Sequence, residues 1–143
     1  MPRTSEPPPL LLDTHVWLWL VLGSERLPSA SRARISRAAS IGDLHIAAIT
    51  VWEIALLALR NQILLGKPTA QWVEDAITAS AVIVEPLSPG IAVECWALPD
   101  TFHQDPADRM IVATARVTNA TLMTRDRRIL AYAAGGHLNA VSA

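Results

Sequence analysis

The sequence predicts a single α/β domain in which a mostly parallel sheet lies between two layers of helices. Three observations lead there. Short apolar, β-branched runs alternate along the chain with longer segments of helical character, the pattern of βαβ units whose crossovers cover both faces of a sheet. A length of 143 residues suits one domain with a proper core, and no repeat or composition break marks a second. Apolar residues make up 51% of the chain and mean hydropathy is +0.29, which argues against disorder.

The elements follow in order. Residues 1–9, "MPRTSEPPP", hold four of the ten prolines and read as a flexible tail, leaving 10–143 as the folded domain. "LLLD" (10–13) is a buried strand ending in an acid. "THVWLWLVL" follows as a helix closed near Gly23. It is apolar all round, which places Trp17 and Trp19 partly at a subunit interface. "SASRARISRAAS" (29–40) is a second helix carrying Arg32, Arg34 and Arg37, and "DLHIAAI" (43–49) a second strand. A helix is expected over 50–66, opening at Thr50, and another after Pro68 with Trp72, Val73, Ala76 and Ile77 on one face. "AVIVEPL" (81–87) is β-branched and reads as a third strand, followed by a short helix after Pro89. "PDTFHQDPAD" is a loop leading to a helix with Ile111, Val112 and Ala115 inward. "ATLMT" (120–124) is a fourth strand, "RDRRILAYAAG" a last helix and "LNAVSA" a weak fifth strand.

In such folds the ligand site lies beyond the carboxyl ends of the strands, where the strand order reverses. That rule selects four acids. Asp13 ends the first strand, Glu53 lies early in the helix after the second, Asp108 opens the helix leading to the fourth, and Asp126 follows the fourth. Each has an ordinary explanation. Asp13 and Asp126 suit helix N-caps, Thr50-x-x-Glu53 reads as a capping box, Asp108 suits a helix dipole and Asp105, before Pro106, a loop or N-cap. Helix ends do not explain why four acids converge on one edge. Like charges that close raise one another's pKa, and a divalent cation is the simplest neutraliser. Oxygen ligands favour Mg²⁺ or Mn²⁺. Cys95 is alone and the four histidines lack zinc spacing, so they are expected to be satisfied polar residues.

Other chemistries find no support. The chain has no G-x-x-x-x-G-K-[ST] loop, no G-x-G-x-x-G turn and no G-x-S-x-G elbow. The net charge of −1 provides no global attraction for nucleic acid, so any such contact needs a local basic patch. The longest apolar run is broken by Asp13, Thr14 and His15, short of the ~20 residues that cross a bilayer. A single cysteine fits a reducing, cytoplasmic setting. Acidic metal sites are suited to phosphodiester hydrolysis, because the ion activates water and stabilises charge on phosphorus and the leaving oxygen.

The blocks "LLLDTHVWLWL", "ITVWEIALLALR", "DPADRMIVATA" and "TLMTRD", in this order and spacing from residue 10 to about 130, resemble a PIN domain, and more narrowly the VapC-type toxins of bacterial toxin–antitoxin pairs. The resemblance implies a five-stranded parallel sheet between helices and a Mg²⁺- or Mn²⁺-dependent endoribonuclease. It implies an acidic site of Asp13, Glu53, Asp108 and Asp126, with Asp13, Asp108 and Asp126 on the metal and Thr14, Asp105 and Thr124 in support. Asp105 is read as orienting Arg109 or the loop. It also implies an antitoxin partner and a homodimer. Arg32, Arg34, Arg37 and Arg125 are then candidates for RNA or antitoxin contact. A catalytically silent metal- or RNA-binding module stays open, as does an Asp-nucleophile phosphatase, although position 15 is His where such enzymes want a second acid.

Overall fold

The computed structural model describes residues 7–143. Strand β1 (Leu10–Leu12) leads through α1 (Thr14–Leu22) and α2 (Ser29–Ser40) to β2 (Leu44–Ala47). Helices α3 (Ala48–Leu59) and α4 (Thr69–Ser80) precede β3 (Ile83–Glu85), and α5 (Pro89–Trp96) and α6 (Pro106–Thr118) precede β4 (Thr121–Thr124). Helix α7 (Arg127–Ala134) and β5 (Asn139–Ser142) complete the chain. The sheet order is β3-β2-β1-β4-β5, and every pairing is parallel.

Alternation along the strands divides the apolar residues between two layers. Leu10, Leu12, Leu44, Ile46 and Met123 join a core with Trp17, Ile54 and Trp72. Leu11, Ala47 and Leu122 face the other way, onto Ile91, Ile111, Val112 and Ile129. Successive crossovers build outward from β1 through β2 to β3, then jump back to β4 and on to β5. The order therefore reverses between β1 and β4. Their carboxyl ends define the switch point at which doubly wound sheets hold ligands.

Several expected boundaries shift. Helix α3 begins two residues before Thr50 and stops at Leu59, where Arg60 and left-handed Asn61 (φ 52°) turn the chain. Strand β3 is only three residues, because Ala81 at φ 57° ends α4 in a left-handed turn. Gly23, at φ 65°, closes α1 as expected. Of the proline-rich tail, residues 1–6 lie outside the described residues, and Pro9 is already tied to the sheet by Thr121 N–H donating to its carbonyl at 2.8 Å.

Trp17 corrects an expectation. It is fully buried within its own chain, its ring meeting Trp72 edge-on at 5.9 Å and its indole N–H donating to Ser80 Oγ at 3.0 Å. The inner side of α1 is thus spent against α3 and α4, while Leu20 and Val21 stay half-buried and Leu22 is 53% exposed. Trp19 is half-buried beneath the Arg125 guanidinium.

Candidate functional site

Asp13 takes its place from β1. Its backbone N–H donates to Met123 O of β4, so the residue is held beside the strand that delivers Asp126. The residue is only 8% exposed. Oδ1 accepts from Thr14 N at 2.8 Å and Oδ2 from the Thr124 hydroxyl at 2.6 Å. The same Thr124 oxygen accepts from Asp126 N at 3.0 Å, so one buried threonine couples the two acids. Asp126 caps α7 through Oδ1, which accepts from the N–H groups of Arg128 and Ile129. It is a helix cap and a site residue at once, because the cap is built at the end of β4.

Glu53 arrives differently. With α3 starting at Ala48, Thr50 lies inside the helix and the predicted capping box does not form. Glu53 Oε1 instead accepts from the Thr14 hydroxyl at 2.5 Å, and Thr14 Oγ1 lies 3.0 Å from Thr50 Oγ1. Since Thr14 spends its only hydroxyl proton on Glu53, Thr50 is the donor in the second contact. A capping motif in sequence is a site-building relay in space.

Asp105 caps α6, its Oδ1 accepting from Ala107 N and Asp108 N. It does not orient Arg109. The buried Arg109 donates to the carbonyls of Cys95, Phe102 and His103, pinning the loop before α6, and stacks over Trp96. Asp108 in the first turn of α6 points inward, with Oδ2 3.2 Å from His103 Nε2 and 3.8 Å from Arg128 Nη2. Arg128 Nη2 also lies 3.6 Å from Asp126 Oδ2.

Asp13, Thr14, Glu53, Asp105, Asp108 and Asp126 thus line one cleft of about 410 Å³, with His15, Arg125 and Arg128 on its walls. The electrostatics show the strain of that gathering. Burial, then the nearby charges of Asp105, Asp13, Asp126 and Glu53, push Asp108 up to about 7. Burial also raises Asp13, against the lowering effect of its Thr124 and Thr14 bonds, and raises Glu53 against its Thr14 bond.

Among the described residues, His103, Asp108 and Asp126 form a group able to hold an ion, each offering a ligand atom within 4.8 Å of the other two. His103 was expected to be a satisfied polar residue. Its buried Nε2 has no well-formed hydrogen bond and faces Asp108. The sequence signal was its place two residues before Asp105, in a loop whose lack of periodicity gave no direction to the ring. Arg128, one of the three arginines (Arg125, Arg127 and Arg128) that the nuclease reading offers to phosphates, is the cation that lies against the acids.

The predicted arginine contacts divide. Arg125 reaches the cleft wall, braced by its Nε donating to Ala143 O at 2.7 Å. Arg32 is occupied with the carbonyls of Ser24 and Leu27. Arg34 and Arg37 line a groove with Pro7, Leu10 and Asp43, at the start of β1 and β2 and so on the opposite edge of the sheet.

Comparison with known proteins agrees with this geometry. Residues 10–135 match the PIN domain family. Ribonuclease VapC22 of Mycobacterium tuberculosis is 37% identical over 123 residues, a span of 86% of this chain and 91% of the relative. DNA-bound VapBC from Salmonella typhimurium superposes with a TM-score of 0.70 at 18% identity, covering 95% of this chain and 98% of that one. VapBC2 from Rickettsia felis, bound to a promoter DNA fragment, gives 0.68 at 16% identity, covering 94% and 98%. At such identities the two structures speak for the fold.

Proposed function

The chain belongs to the PIN domain family, and on that premise we propose that it is a metal-dependent endoribonuclease acting as the toxin of a toxin–antitoxin pair. The observation that carries the reading is the meeting of Asp13, Glu53, Asp108 and Asp126 from four separate elements at the switch point of the sheet. The relative named as a ribonuclease supports the activity.

The donor set fits a divalent cation. Asp108 and Asp126 supply hard oxygens, His103 Nε2 is a buried nitrogen 3.2 Å from Asp108 Oδ2, and the raised acids gain from a positive charge among them. Asp13, Asp108 and Asp126 would hold the ion, with His103 beside them. A bound Mg²⁺ or Mn²⁺ supplies a Lewis acid for the phosphoryl oxygens and a more acidic water. The chain's own groups do the rest. Thr14 fixes Glu53 Oε1, and we assign Glu53 Oε2 to accept the proton of the attacking water. Thr124 holds Asp13 and Asp126 at a set spacing. Arg128, 63% exposed at its side chain, is positioned to leave the acids and meet the substrate phosphate.

The solved neighbours include complexes of toxin with antitoxin. By analogy a cognate antitoxin that covers the acidic edge is the partner proposed here, together with a second copy of the chain. The test is incubation of the purified protein with labelled RNA and with a phosphate monoester, each with and without EDTA. EDTA-sensitive cutting of RNA alone supports the proposal. Monoester turnover points to a phosphatase, and metal binding without cutting to a silent module.

A further inference from the structure

Next to the acidic cleft lies a second hollow that the proposed chemistry leaves unused. It measures about 380 Å³ and is lined by Phe102, His103, Tyr132 and His137, with the exposed Thr101 and Ala131 beside them. The four rings form a file. His103 packs on Phe102 at 4.4 Å between centroids, Phe102 on Tyr132 at 4.8 Å, and Tyr132 on His137 at 4.5 Å. The Tyr132 hydroxyl donates to Pro99 O, so its polar tip is spent on the loop and its ring serves as wall. At one end His137 Nε2 meets Asp100 Oδ2 at 2.9 Å.

The hollow and the cleft are adjoining rooms. Arg128 lines both, and His103 in the hollow touches Asp108 in the cleft. A polynucleotide whose phosphate sits at the acids would therefore pass a guanidinium and then meet an aromatic, mostly apolar recess. Phe102 and Tyr132 are only 5% and 6% exposed, so the open aromatic surface is that of His103 and His137, 19% and 20% exposed at their side chains. An unpaired nucleobase packs on such rings whatever its sequence, while a paired base cannot leave its stack to enter. The volume lies near the lower limit for small-ligand pockets, which is room for one nucleoside rather than several. The cation at the junction favours a phosphate-bearing occupant over a peptide side chain.

We propose that this hollow is a nucleobase subsite, which takes one unpaired base of the RNA beside the phosphate held at the acidic cleft. It rests on the ribonuclease reading for the identity of the polymer, yet base binding is measurable without cleavage.

The experiment uses the intact protein, labelled with ¹⁵N, in EDTA. It is titrated with each of the four nucleoside 5′-monophosphates, with ribose 5-phosphate as the base-free control, and with phenylalaninamide. At least one nucleotide should bind about tenfold or more tightly than ribose 5-phosphate, the gain expected of one stacked base. Its shifts should centre on Thr101, Phe102 and Ala131. Ala131→Leu puts a good helix former at an exposed position of α7 and fills the hollow, so it should keep the melting temperature and erase the preference for base-bearing ligands. Thr101→Trp is a second filler should the first variant fold poorly. Equal affinity for nucleotide and ribose 5-phosphate overturns the subsite, as does a preference that survives both fillers. Competition by phenylalaninamide as strong as by nucleotide assigns the hollow to a protein side chain and overturns it too.

Separate controls distinguish the two proposals. Asp13→Asn should lose Mn²⁺ binding and keep the base preference. Base preference in a protein that cuts no RNA leaves the subsite standing without the nuclease. RNA cutting without base preference does the reverse.

Discussion

At the scale of single residues, the acids report on themselves through pH. Asp108 titrates near 7 in the folded chain but near 3.8 when unfolded, so the native state holds the proton more tightly across that interval. Its contribution to stability is present below pH ~4 and is lost as pH rises through about 7 in the absence of metal. Asp108→Asn removes that liability. In EDTA the variant should melt close to wild type only at pH ~4 and below, where Asp108 is neutral in folded and unfolded chains alike, and progressively higher than wild type from there to pH ~8. Melting curves across that range check it, and a wild type that gains on the variant as pH rises would sink the idea. Because a ligating carboxylate must shed its proton, Mn²⁺ affinity should climb by up to about tenfold per pH unit below 7. Calorimetry in two buffers of different ionisation heat reads the released proton. Asp13→Asn tests the neighbouring acid. The amide oxygen can still accept from Thr14 N, so the fold should hold, whereas Mn²⁺ binding and at least ~10²-fold of RNA cleavage should go, a loss typical of one electrostatic group. A folded variant that cuts RNA at the wild-type rate defeats the mechanism.

At the scale of elements, the sequence states where strands end better than where helices begin. A carboxylate directly after an apolar run leaves little freedom, so Asp13 and Asp126 were legible at the edge of the sheet. Glu53 was legible as an acid but its setting was not. A start at Thr50 makes it a cap, and a start at Ala48 makes it the partner of Thr14; two residues of helix register decide, and local pattern does not fix them. The loop before α6 was the least readable segment, since its shape depends on Arg109, whose three acceptors are backbone carbonyls that any sequence would offer. That dependence is testable. Arg109→Ala leaves buried carbonyls without donors at ~1–3 kcal/mol each and forfeits the contact with Trp96, so unfolding stability should fall by roughly 3 kcal/mol or more. Denaturant midpoints at unchanged slope measure it. A change below ~1 kcal/mol would mean that water satisfies the loop and that Arg109 does not brace His103 and Asp105.

At the scale of the whole molecule, parallel topology gathers the acids at one edge and sends other features elsewhere. Arg34 and Arg37 sit at the opposite edge, so replacing both by Gln should leave RNA affinity and its salt dependence unchanged, contrary to what their clustering in sequence suggested. Filter binding at several salt concentrations settles that point. What remains is the apolar surface. Trp17, expected at an interface, is spent inside the chain, but Leu59 of α3 is 79% exposed and Val93 and Trp96 of α5 are 70% and 60% exposed. Trp52, seven residues before Leu59 and so on the same side of α3, is exposed as well. With charged residues at only 17% of the chain, few are available to keep these helices solvated. Large apolar residues exposed on two helices that both pack on α6 are a mark of association, and a second copy of the chain needs to cover only roughly 800 Å² per partner to form a standard interface. Leu59→Lys with Val93→Lys tests it away from the acids. Both positions are exposed on helices, so the double variant should keep its circular dichroism spectrum and melting temperature. Wild type should sediment as a dimer at micromolar concentration and the variant as a monomer. A wild type that is already monomeric there, or a variant that remains dimeric, would show that these residues do not join two subunits.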